Sequence, residues 1–571
     1  MKWPESLSSV FMANRHVMEA IGQQSRHPAH LVAKGAVLFV AMCFFLYIQF
    51  RVQINNGFTT LYGDSYDAAI VVAILEHWIN VFSGDSHWSQ LYYFYPYQNT
   101  LAQTDGYFLI GIIYSVIRLF NTDPFVSSEL SNVVVRAIGF LSFFWMLRRV
   151  FNIRFGWAVF AAGLFIIANN LTVHGTRVQL ATLAFAPFVA TLLHQAYLSL
   201  VGNEPKRFFT WGSAAGIALG SWALTCFYIT WFYIFFTVAL GLALLYVATK
   251  EQRLRFWHAV KRHKWVVVAV GIVAVVSMLP LLSVYLPKAA ESGVRSYGSS
   301  QVYAVTVPGI LQVGETNILF GELYAKLLKI VAPSYTWSGE YYNTGIAPII
   351  FVLFCFAGWA IYQNRSRSPS GQLMWAIYLA SVITWLCVIK IGKVSLWFFV
   401  YHLFPGAKAL NVIGAYQIFL AFPIVLVVTV YLSKLLPRLP MSIVLILGVL
   451  LVGEEMNRSY IALDRQAELA KVSGLTQAPE GCQVFYVGGW PKQESQIDKI
   501  YAHNVSAMLI AELLKMPTIN GFASFNPPDW NLADPNDGTY DQRVAEYLKK
   551  HEIKDVCKLD LVSKQWQEVA H

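Results

Sequence analysis

The stretch Tyr62-Gly63-Asp64-Ser65-Tyr66-Asp67 follows the first long apolar segment of the chain, at 35–51. Two carboxylates, Asp64 and Asp67, therefore stand three residues apart beside a segment long enough to enter a bilayer. An acid/base centre at a membrane surface needs carboxylates close to the reacting proton. The alternative is a solvated loop that carries two ordinary aspartates.

The composition around this stretch predicts a membrane protein. The 571-residue chain is 56% hydrophobic and only 13% charged, whereas soluble domains carry about 25% charged residues. The formal charge of +10 is typical of basic cytoplasmic loops and does not indicate a nucleic-acid partner. The sequence contains no P-loop and no HExxH or CxxC pattern, which argues against nucleotide chemistry and a zinc site.

Apolar segments predict eleven membrane-spanning helices. They lie at about 35–51, 129–147, 155–170, 178–198, 210–227, 229–248, 265–286, 343–362, 371–389, 411–432 and 441–453. Arg and Lys concentrate in the loops 148–154 and 250–264, whereas 52–128 contains one basic residue, Arg118, against six acids. The positive-inside rule then places the N-terminus inside and 52–128, 287–342 and the C-terminus outside, which in a bacterial inner membrane would be the periplasmic side.

The outer loop 52–128 contains two apolar runs, at 67–82 and 107–120. Both predict helices that lie at the outer surface or re-enter the membrane, because a run of about 14 residues is too short to span it. The alternative, in which 107–120 crosses, would put Arg148, Arg149 and Arg154 outside.

The chain becomes polar after about 453. We therefore predict a transmembrane catalytic domain at 1–453 and a small periplasmic α/β domain at 454–571. Short strand-like runs and a helical segment at 506–514 support the second domain.

Polar residues on the predicted outer side form three clusters. The first contains Asp64, Asp67 and Asp105; the second His174, Arg177 and Gln179; the third Arg295, Glu315 and Glu322, with Lys390, Lys393 and Lys408 on a later loop. Carboxylates supply a general base, and Arg or Lys stabilises the charge of a leaving phosphate. The alternative interpretation is a set of solvated surface charges.

Several short motifs resemble the GT-C superfamily of integral-membrane glycosyltransferases, and more narrowly uncharacterised bacterial members of it. They are Gly63-Asp64-x-x-Asp67, Ile74-Leu75-Glu76-His77, Tyr95-Pro96-x-x-Asn99-x-Leu101-Ala102-x-x-Asp105, the turn at 147–152, Phe404-Pro405-Gly406-Ala407 with Ala409-Leu410, Pro517-Thr518-Ile519-Asn520-Gly521 and Pro527-Pro528-Asp529-Trp530. The resemblance covers nearly the whole chain. One departure is Asn411, where the resemblance leads us to expect an Arg.

The resemblance implies a polytopic helical GT-C-like fold and transfer of a sugar from a polyprenyl-phosphate donor to an envelope glycan or lipid such as lipopolysaccharide. The general base would be Asp64, with Asp67 as the second choice for this role or as a metal or sugar ligand, and Asp105 would be a second acidic contact. Arg177, Arg295 and Lys393 would bind phosphate, and the other substrate-binding candidates are Glu76, His77, Tyr95, Asn99, His174, Gln179, Glu315 and Glu322. No cofactor is required; a divalent cation, if one binds, would be held by Asp64 and Asp67.

Two other classes of function stay open. A transporter or flippase of lipid-linked sugars would also have many spans, but transporters place charged residues at the midplane of interrupted helices, and the predicted spans here are nearly free of charge. A non-catalytic subunit of envelope assembly would keep the scaffold without the chemistry.

Cys482 and Cys557 are the two cysteines outside apolar segments, and each lies in or next to a strand-like run. The outer side of a bacterial membrane is oxidising, which favours a disulfide. Neighbouring strands would bring their Cα atoms close enough for one. The alternative is a pair of buried free thiols.

Overall fold

A computed structural model describes residues 28–173, 178–335, 343–365, 368–491 and 495–569 of the protein. Within these ranges the chain is mainly helical. In chain order the α-helices are α1 (Pro28–Asn55), α2 (Asp67–Ser83), α3 (Phe108–Arg118), α4 (Pro124–Arg149), α5 (Phe155–Ile166), α6 (Asn169–Val173), α7 (Ala186–Val201), α8 (Pro205–Thr225), α9 (Phe227–Val247), α10 (Lys250–Arg262), α11 (Lys264–Ser292), α12 (Tyr297–Val302), α13 (Gly321–Val331), α14 (Pro348–Asn364), α15 (Pro369–Val388), α16 (Trp397–Leu403), α17 (Tyr416–Leu435), α18 (Met441–Gly453), α19 (Arg465–Val472), α20 (Gln496–Leu514) and α21 (Tyr540–Lys550). The strands are β1 (Thr60–Tyr62), β2 (Val305–Thr306), β3 (Ile389–Ile391), β4 (Val394–Ser395), β5 (Ala462–Asp464), β6 (Val484–Gly488), β7 (Val556–Asp560) and β8 (Trp566–Glu568).

Eight helical segments of the described residues are long and apolar enough to cross a membrane. They are Leu31–Asn55, Pro124–Arg149, Phe155–Val173, Val178–Val201, Phe227–Val247, Lys264–Ser292, Pro369–Val388 and Ile413–Arg438. Each coincides with a predicted span, and the other three predicted spans fall on α8, α14 and α18. The predicted class, a polytopic helical membrane protein with a small amount of sheet, is confirmed.

The pairing of β1 with β5 limits how often the chain crosses the membrane. The two strands are antiparallel, with Leu61 opposite Leu463, so they lie on the same side and the chain between them crosses an even number of times. Seven of the eight long segments lie between these strands. If all seven cross, the total is even only when an odd number of further helices also crosses. Helices α8, α14 and α18 are three such candidates, and with them the chain crosses ten times between β1 and β5.

Helix α4 shows how the sequence delimits a span and how a span accommodates buried charged side chains. At the amino end of α4, Asp123 accepts hydrogen bonds from the backbone N–H groups of Phe125 and Val126, at 2.9 Å each. Its interior, however, contains Glu129 and Arg136, which are both buried. The Arg136 guanidinium donates to the carbonyl oxygens of Ile166 and Leu171, at 2.8 and 3.0 Å. A span tolerates this arginine because its guanidinium binds carbonyl groups of α5 and α6 instead of facing lipid.

Helix α2 forms as predicted, and the C-terminal part covers it. Residues from Val71 to Trp78 along it are buried. Leu75, Val505 and Met508 belong to one apolar cluster, because α20 of the C-terminal part packs along α2. The first outer loop and the C-terminal part therefore share a core.

The C-terminal part contains a three-stranded sheet in the order β6-β7-β8, with β6 and β7 parallel. Phe485 lies opposite Cys557 in this register. Cys482, just before β6, is bonded to Cys557 across a Cα–Cα distance of 5.7 Å. The domain boundary at 454 stays a prediction, because β5 pairs with the first outer loop and the Glu454 carboxylate accepts hydrogen bonds from the backbone of Ile349 and Ile350.

Candidate functional site

The acidic stretch connects β1 to α2. Gly63 has φ +141°, and a Cβ at this position would lie 2.3 Å from the Ala68 Cβ, so the tight turn requires glycine. Asp64 Oδ1 accepts hydrogen bonds from the backbone N–H groups of Tyr66 and Ala68, at 3.1 and 3.4 Å. Asp67 is the first residue of α2. Both carboxylates are half-buried and stand at the amino end of α2, which is the positive end of the helix dipole.

The C-terminal part covers this turn. Ser65 Oγ donates a hydrogen bond to Glu468 Oε1 on α19 at 2.6 Å, and Lys471 Nζ lies 2.6 Å from the same oxygen. The Tyr66 hydroxyl bonds to Asp498 on α20. The acidic turn is therefore bordered by side chains from more than 400 positions further along the chain.

A short C-terminal segment, residues 521–526, connects the acidic turn to Arg295. The Tyr66 ring lies 5.5 Å from the Tyr501 ring, and Tyr501 lies 3.8 Å from the Phe522 ring. Arg295 Nη2 donates to the carbonyl oxygen of Ser524, and its guanidinium carbon lies 4.3 Å from the centre of the Phe525 ring. The acidic turn is thus linked through Tyr501 to the same short segment that contacts Arg295.

The backbone of Arg295 is held in place by the loop that follows α16. Arg295 N–H donates to the carbonyl oxygen of Lys408 at 3.0 Å, and the Tyr401 hydroxyl donates to the Arg295 carbonyl oxygen at 2.8 Å. The Lys408 ammonium lies 5.8 Å from the Tyr401 ring centre. Arg295 and Lys408 therefore bring two cations to one region of the second outer loop.

The other basic candidates of this region lie on the small sheet β2-β3-β4. Lys390 in β3 donates to the carbonyl oxygen of Gln301 at 3.2 Å. Lys393 is exposed in the turn between β3 and β4. Asn411, where an Arg was expected, accepts a hydrogen bond from Ser299 Oγ at 2.8 Å and donates through its backbone to the Tyr228 hydroxyl at 2.6 Å.

The structure places Asp105 at the amino end of α9. Its Oδ1 accepts the backbone N–H of Phe227 at 2.9 Å, and the Cys226 thiol lies 3.8 Å from Oδ2. Burial raises the pKa of Asp105 from 3.8 to about 6, against the lowering effect of these hydrogen bonds. These contacts cap a helix that lacks a capping side chain of its own.

Glu76 and His77 hold structural elements together. Glu76 Oε1 accepts hydrogen bonds from the Tyr114 hydroxyl at 2.6 Å and from Arg118 Nε at 2.8 Å. His77 Nε2 lies 3.1 Å from the Trp88 carbonyl oxygen, and its Nδ1 lies 3.8 Å from Glu512 Oε2. Burial lowers the pKa of His77 to about 4 and raises that of Glu512 to about 8, so at neutral pH this contact joins two uncharged groups.

The remaining predicted site residues are dispersed. Tyr95 and Asn99 order the first outer loop: the Tyr95 carbonyl accepts from the Tyr547 hydroxyl at 3.0 Å, and Asn99 Oδ1 accepts from Ser89 Oγ at 2.7 Å. His174 and Arg177 lie outside the described residues. Gln179 Oε1 is buried with no hydrogen-bond partner in the described part of the chain. Glu315 is exposed, and Glu322 pairs with Arg458 at 2.7 Å.

Metal binding by this site has limited support from the side chains. Among the described residues, no group of three or more His, Cys, Asp or Glu side chains could hold a metal ion. Asp64 and Asp67 are the two carboxylates that the turn offers.

Sequence reasoning missed the C-terminal side of the site. Glu468, Asp498, Tyr501 and Ser524 contact the acidic turn or Arg295. These residues belong to no recognisable sequence motif, and no local sequence pattern relates them to a turn that lies hundreds of residues earlier. The pairing of β1 with β5 brings this part of the chain to the turn.

No protein-family model matches the sequence, and no curated protein matches it. Among solved structures, the chain is similar to the apo form of the Archaeoglobus fulgidus oligosaccharyltransferase, with a TM-score of 0.48 and 13% identity. The match covers 91% of this chain and 69% of the archaeal protein. At this level the similarity assigns neither a family nor an activity to the chain.

Proposed function

We propose that this protein is a membrane glycosyltransferase of the GT-C kind that moves a sugar from a polyprenyl-phosphate-linked donor to a glycan or lipid of the cell envelope. Asp64 is the general base, Asp67 is its neighbour in the same turn, and Arg295 binds the phosphate of the donor. The reaction takes place on the periplasmic side of the bacterial inner membrane.

The proposed reaction is a single inverting displacement. Asp64 accepts the proton of the acceptor hydroxyl as its oxygen forms a bond to the anomeric carbon of the sugar. The bond between that carbon and the phosphate oxygen breaks on the opposite side, and its electron pair leaves with the lipid phosphate. The guanidinium of Arg295 stabilises the charge that develops on this phosphate, as a preorganised cation does in phosphate recognition.

One observation carries the proposal: the segment 521–526 joins the acidic turn to Arg295. A base and a phosphate ligand have to face the same small substrate from different directions. The contacts of Tyr66 with Tyr501, of Tyr501 with Phe522 and of Ser524 with Arg295 support such an arrangement between elements that are far apart in sequence. The apolar spans support a position of this site beside a bilayer, in which the polyprenyl chain of the donor would lie.

A divalent cation has a limited place in this proposal. Asp64 and Asp67 would be its ligands, and it would supply charge neutralisation at the donor phosphate. Asp64 Oδ1 already accepts two backbone N–H groups. We therefore assign no step to a cation.

Mass spectrometry of envelope glycans tests the proposal. Cells lacking the protein should lose one sugar from an envelope glycan or lipid and accumulate the lipid-linked donor. Wild-type protein should restore the sugar, whereas Asp64→Asn should not, although it is produced at the same level in the membrane.

Asp85→Asn is the matched control, because Asp85 lies in the same outer loop but forms an exposed ion pair with Lys515. It should restore the sugar fully. Identical glycans with and without the protein would refute the proposal. A donor that accumulates on the cytoplasmic side would instead support a flippase, and restoration by Asp64→Asn and Asp67→Asn alike would support a non-catalytic subunit.

A further inference from the structure

Helix α13 exposes an apolar stripe that no part of the described chain covers. Leu323, Leu327, Ile330 and Val331 are 62, 48, 79 and 71% exposed. The spacing of these four side chains places them on one face of the helix. The opposite face is attached to the protein, since Leu328 is buried and the Tyr324 hydroxyl donates to the Pro308 carbonyl oxygen at 2.6 Å.

The start of α13 is fixed to the end of α18, one of the apolar helices assigned to the membrane. Ile318 N–H donates to the Met456 carbonyl oxygen at 2.9 Å, and Asn317 Nδ2 donates to the Glu454 carbonyl oxygen at 2.7 Å. A Cβ added at Gly453, the last residue of α18, would lie 3.2 Å from Leu319 Cδ1. Helix α13 therefore begins at the level where α18 leaves the membrane.

The charges of α13 are arranged beside the stripe. Lys326 and Lys329 are exposed and lie on the flank of the helix next to Leu323 and Ile330. The one acidic residue of the helix, Glu322, is paired with Arg458 at 2.7 Å. The two lysines therefore give this surface a positive charge. An apolar stripe flanked by lysines is typical of helices that lie in the interface of a bilayer.

We propose that α13 lies in the membrane interface, with the apolar stripe among the acyl chains and with Lys326 and Lys329 at the phosphates of anionic lipids. The occupant of this surface is the bilayer itself. Continuity with α18 supports this, because Ile446 and Val449 of that helix are also exposed apolar side chains, at 60 and 72%. The proposal is independent of the glycosyltransferase function.

Spin-label accessibility in proteoliposomes tests the position of the stripe. Leu327→Cys and Ile330→Cys are labelled in the full chain after Cys43, Cys355 and Cys387 have been changed to Ser. Val562→Cys is the matched control, because Val562 is 63% exposed in the turn between β7 and β8. Labels at 327 and 330 should collide with membrane-dissolved oxygen several-fold more often, relative to a water-soluble nickel complex, than the label at 562.

Equal collision ratios at the three positions would overturn the proposal. If the three cysteine-to-serine changes lower the amount of folded protein, a photoreactive residue at position 327 of the protein with its natural cysteines tests the same point. It should cross-link to phospholipid, and a photoreactive residue at 562 should not.

The role of the lysines has its own test. Adding phosphatidylglycerol to phosphatidylcholine vesicles should move the label at 330 deeper. The double variant Lys326→Gln/Lys329→Gln should abolish this shift. An equal shift with and without the lysines would overturn their assignment to anionic headgroups.

Discussion

The guanidinium of Arg295 donates a hydrogen bond to the carbonyl oxygen of Ser524, although 229 residues separate the two along the chain. The C-terminal part thereby positions Arg295, the proposed phosphate ligand on the second outer loop. The same segment contacts Tyr501, which lies beside the acidic turn. The C-terminal part is therefore an integral component of the proposed site.

Arg295 should matter through its charge and its forked geometry. Arg295→Gln should lower transfer by roughly ten- to a thousand-fold, because a preorganised cation at a developing charge contributes on this scale. Arg295→Lys should restore part of it, since an ammonium keeps the charge but not the bidentate geometry. The measurement is transfer by purified protein in detergent, with Lys515→Gln, which breaks only the exposed pair with Asp85, as the control. Unchanged transfer by Arg295→Gln would remove Arg295 from the mechanism.

Asp64 should be essential for the chemical step. Asp64→Asn keeps the size of the side chain and an oxygen that can accept the N–H groups of Tyr66 and Ala68, but it removes the basic carboxylate. Transfer should fall by roughly two to four orders of magnitude, as expected for loss of a general base, while thermal unfolding is unchanged. Full activity in both Asp64→Asn and Asp67→Asn would place the catalytic base elsewhere.

We expect Asp105 to affect the free energy of unfolding and not the rate of sugar transfer. Its pKa rises from 3.8 to about 6 on folding, so the folded protein binds the additional proton and stability falls as pH rises from about 4 to about 6. Asp105→Asn cannot ionise and should not show this fall. Above pH 6 it should be more stable than wild type by roughly 1–3 kcal/mol.

Thermal unfolding of both proteins in detergent between pH 4 and pH 8 measures this difference. Asp105→Ala, which removes the acceptor for Phe227 N–H, should be destabilised at every pH. An activity loss in Asp105→Asn as large as that in Asp64→Asn would show that the carboxylate takes part in catalysis.

The bond between Cys482 and Cys557 should be detected by counting thiols. Denatured, unreduced protein should react at four of its six cysteines, and reduced protein at all six. The bond closes a loop with a sequence separation of 75 residues, for which the chain-entropy model gives roughly 4 kcal/mol. The double variant Cys482→Ser/Cys557→Ser should therefore expose the C-terminal part to protease at lower temperature. Labelling of six thiols without reductant would contradict the bond.

The pairing of β1 with β5 predicts that the first outer loop and the C-terminus face the same side. Reporter enzymes that are active only outside the cytoplasm should be active when fused after Thr59 and after His571, and inactive after Asn203, in the loop between α7 and α8. Activity at only one of the first two positions would contradict the strand pairing. Inactivity at both would reverse the predicted orientation without changing the pairing.

The sequence by itself determined the elements that depend on neighbouring residues. Apolar runs of sufficient length predicted the eight long spans, because a helix must hide its backbone from lipid. Short apolar runs predicted α2 and α3, and β-prone runs predicted β6 and β7.

Only the tertiary structure decided what those elements face. Arg136 is buried in a span because its guanidinium reaches the carbonyl ends of α5 and α6, and no local pattern records such a partner. Asp105 stands in the same motif as Tyr95 and Asn99, yet it caps α9, which begins more than a hundred residues later. The indirect connection between the acidic turn and Arg295 depends on the β1–β5 pair, on Tyr501 and on residues 521–526. Contacts of this kind join distant residues through shape and hydrogen bonding, and these properties arise only once the chain has packed.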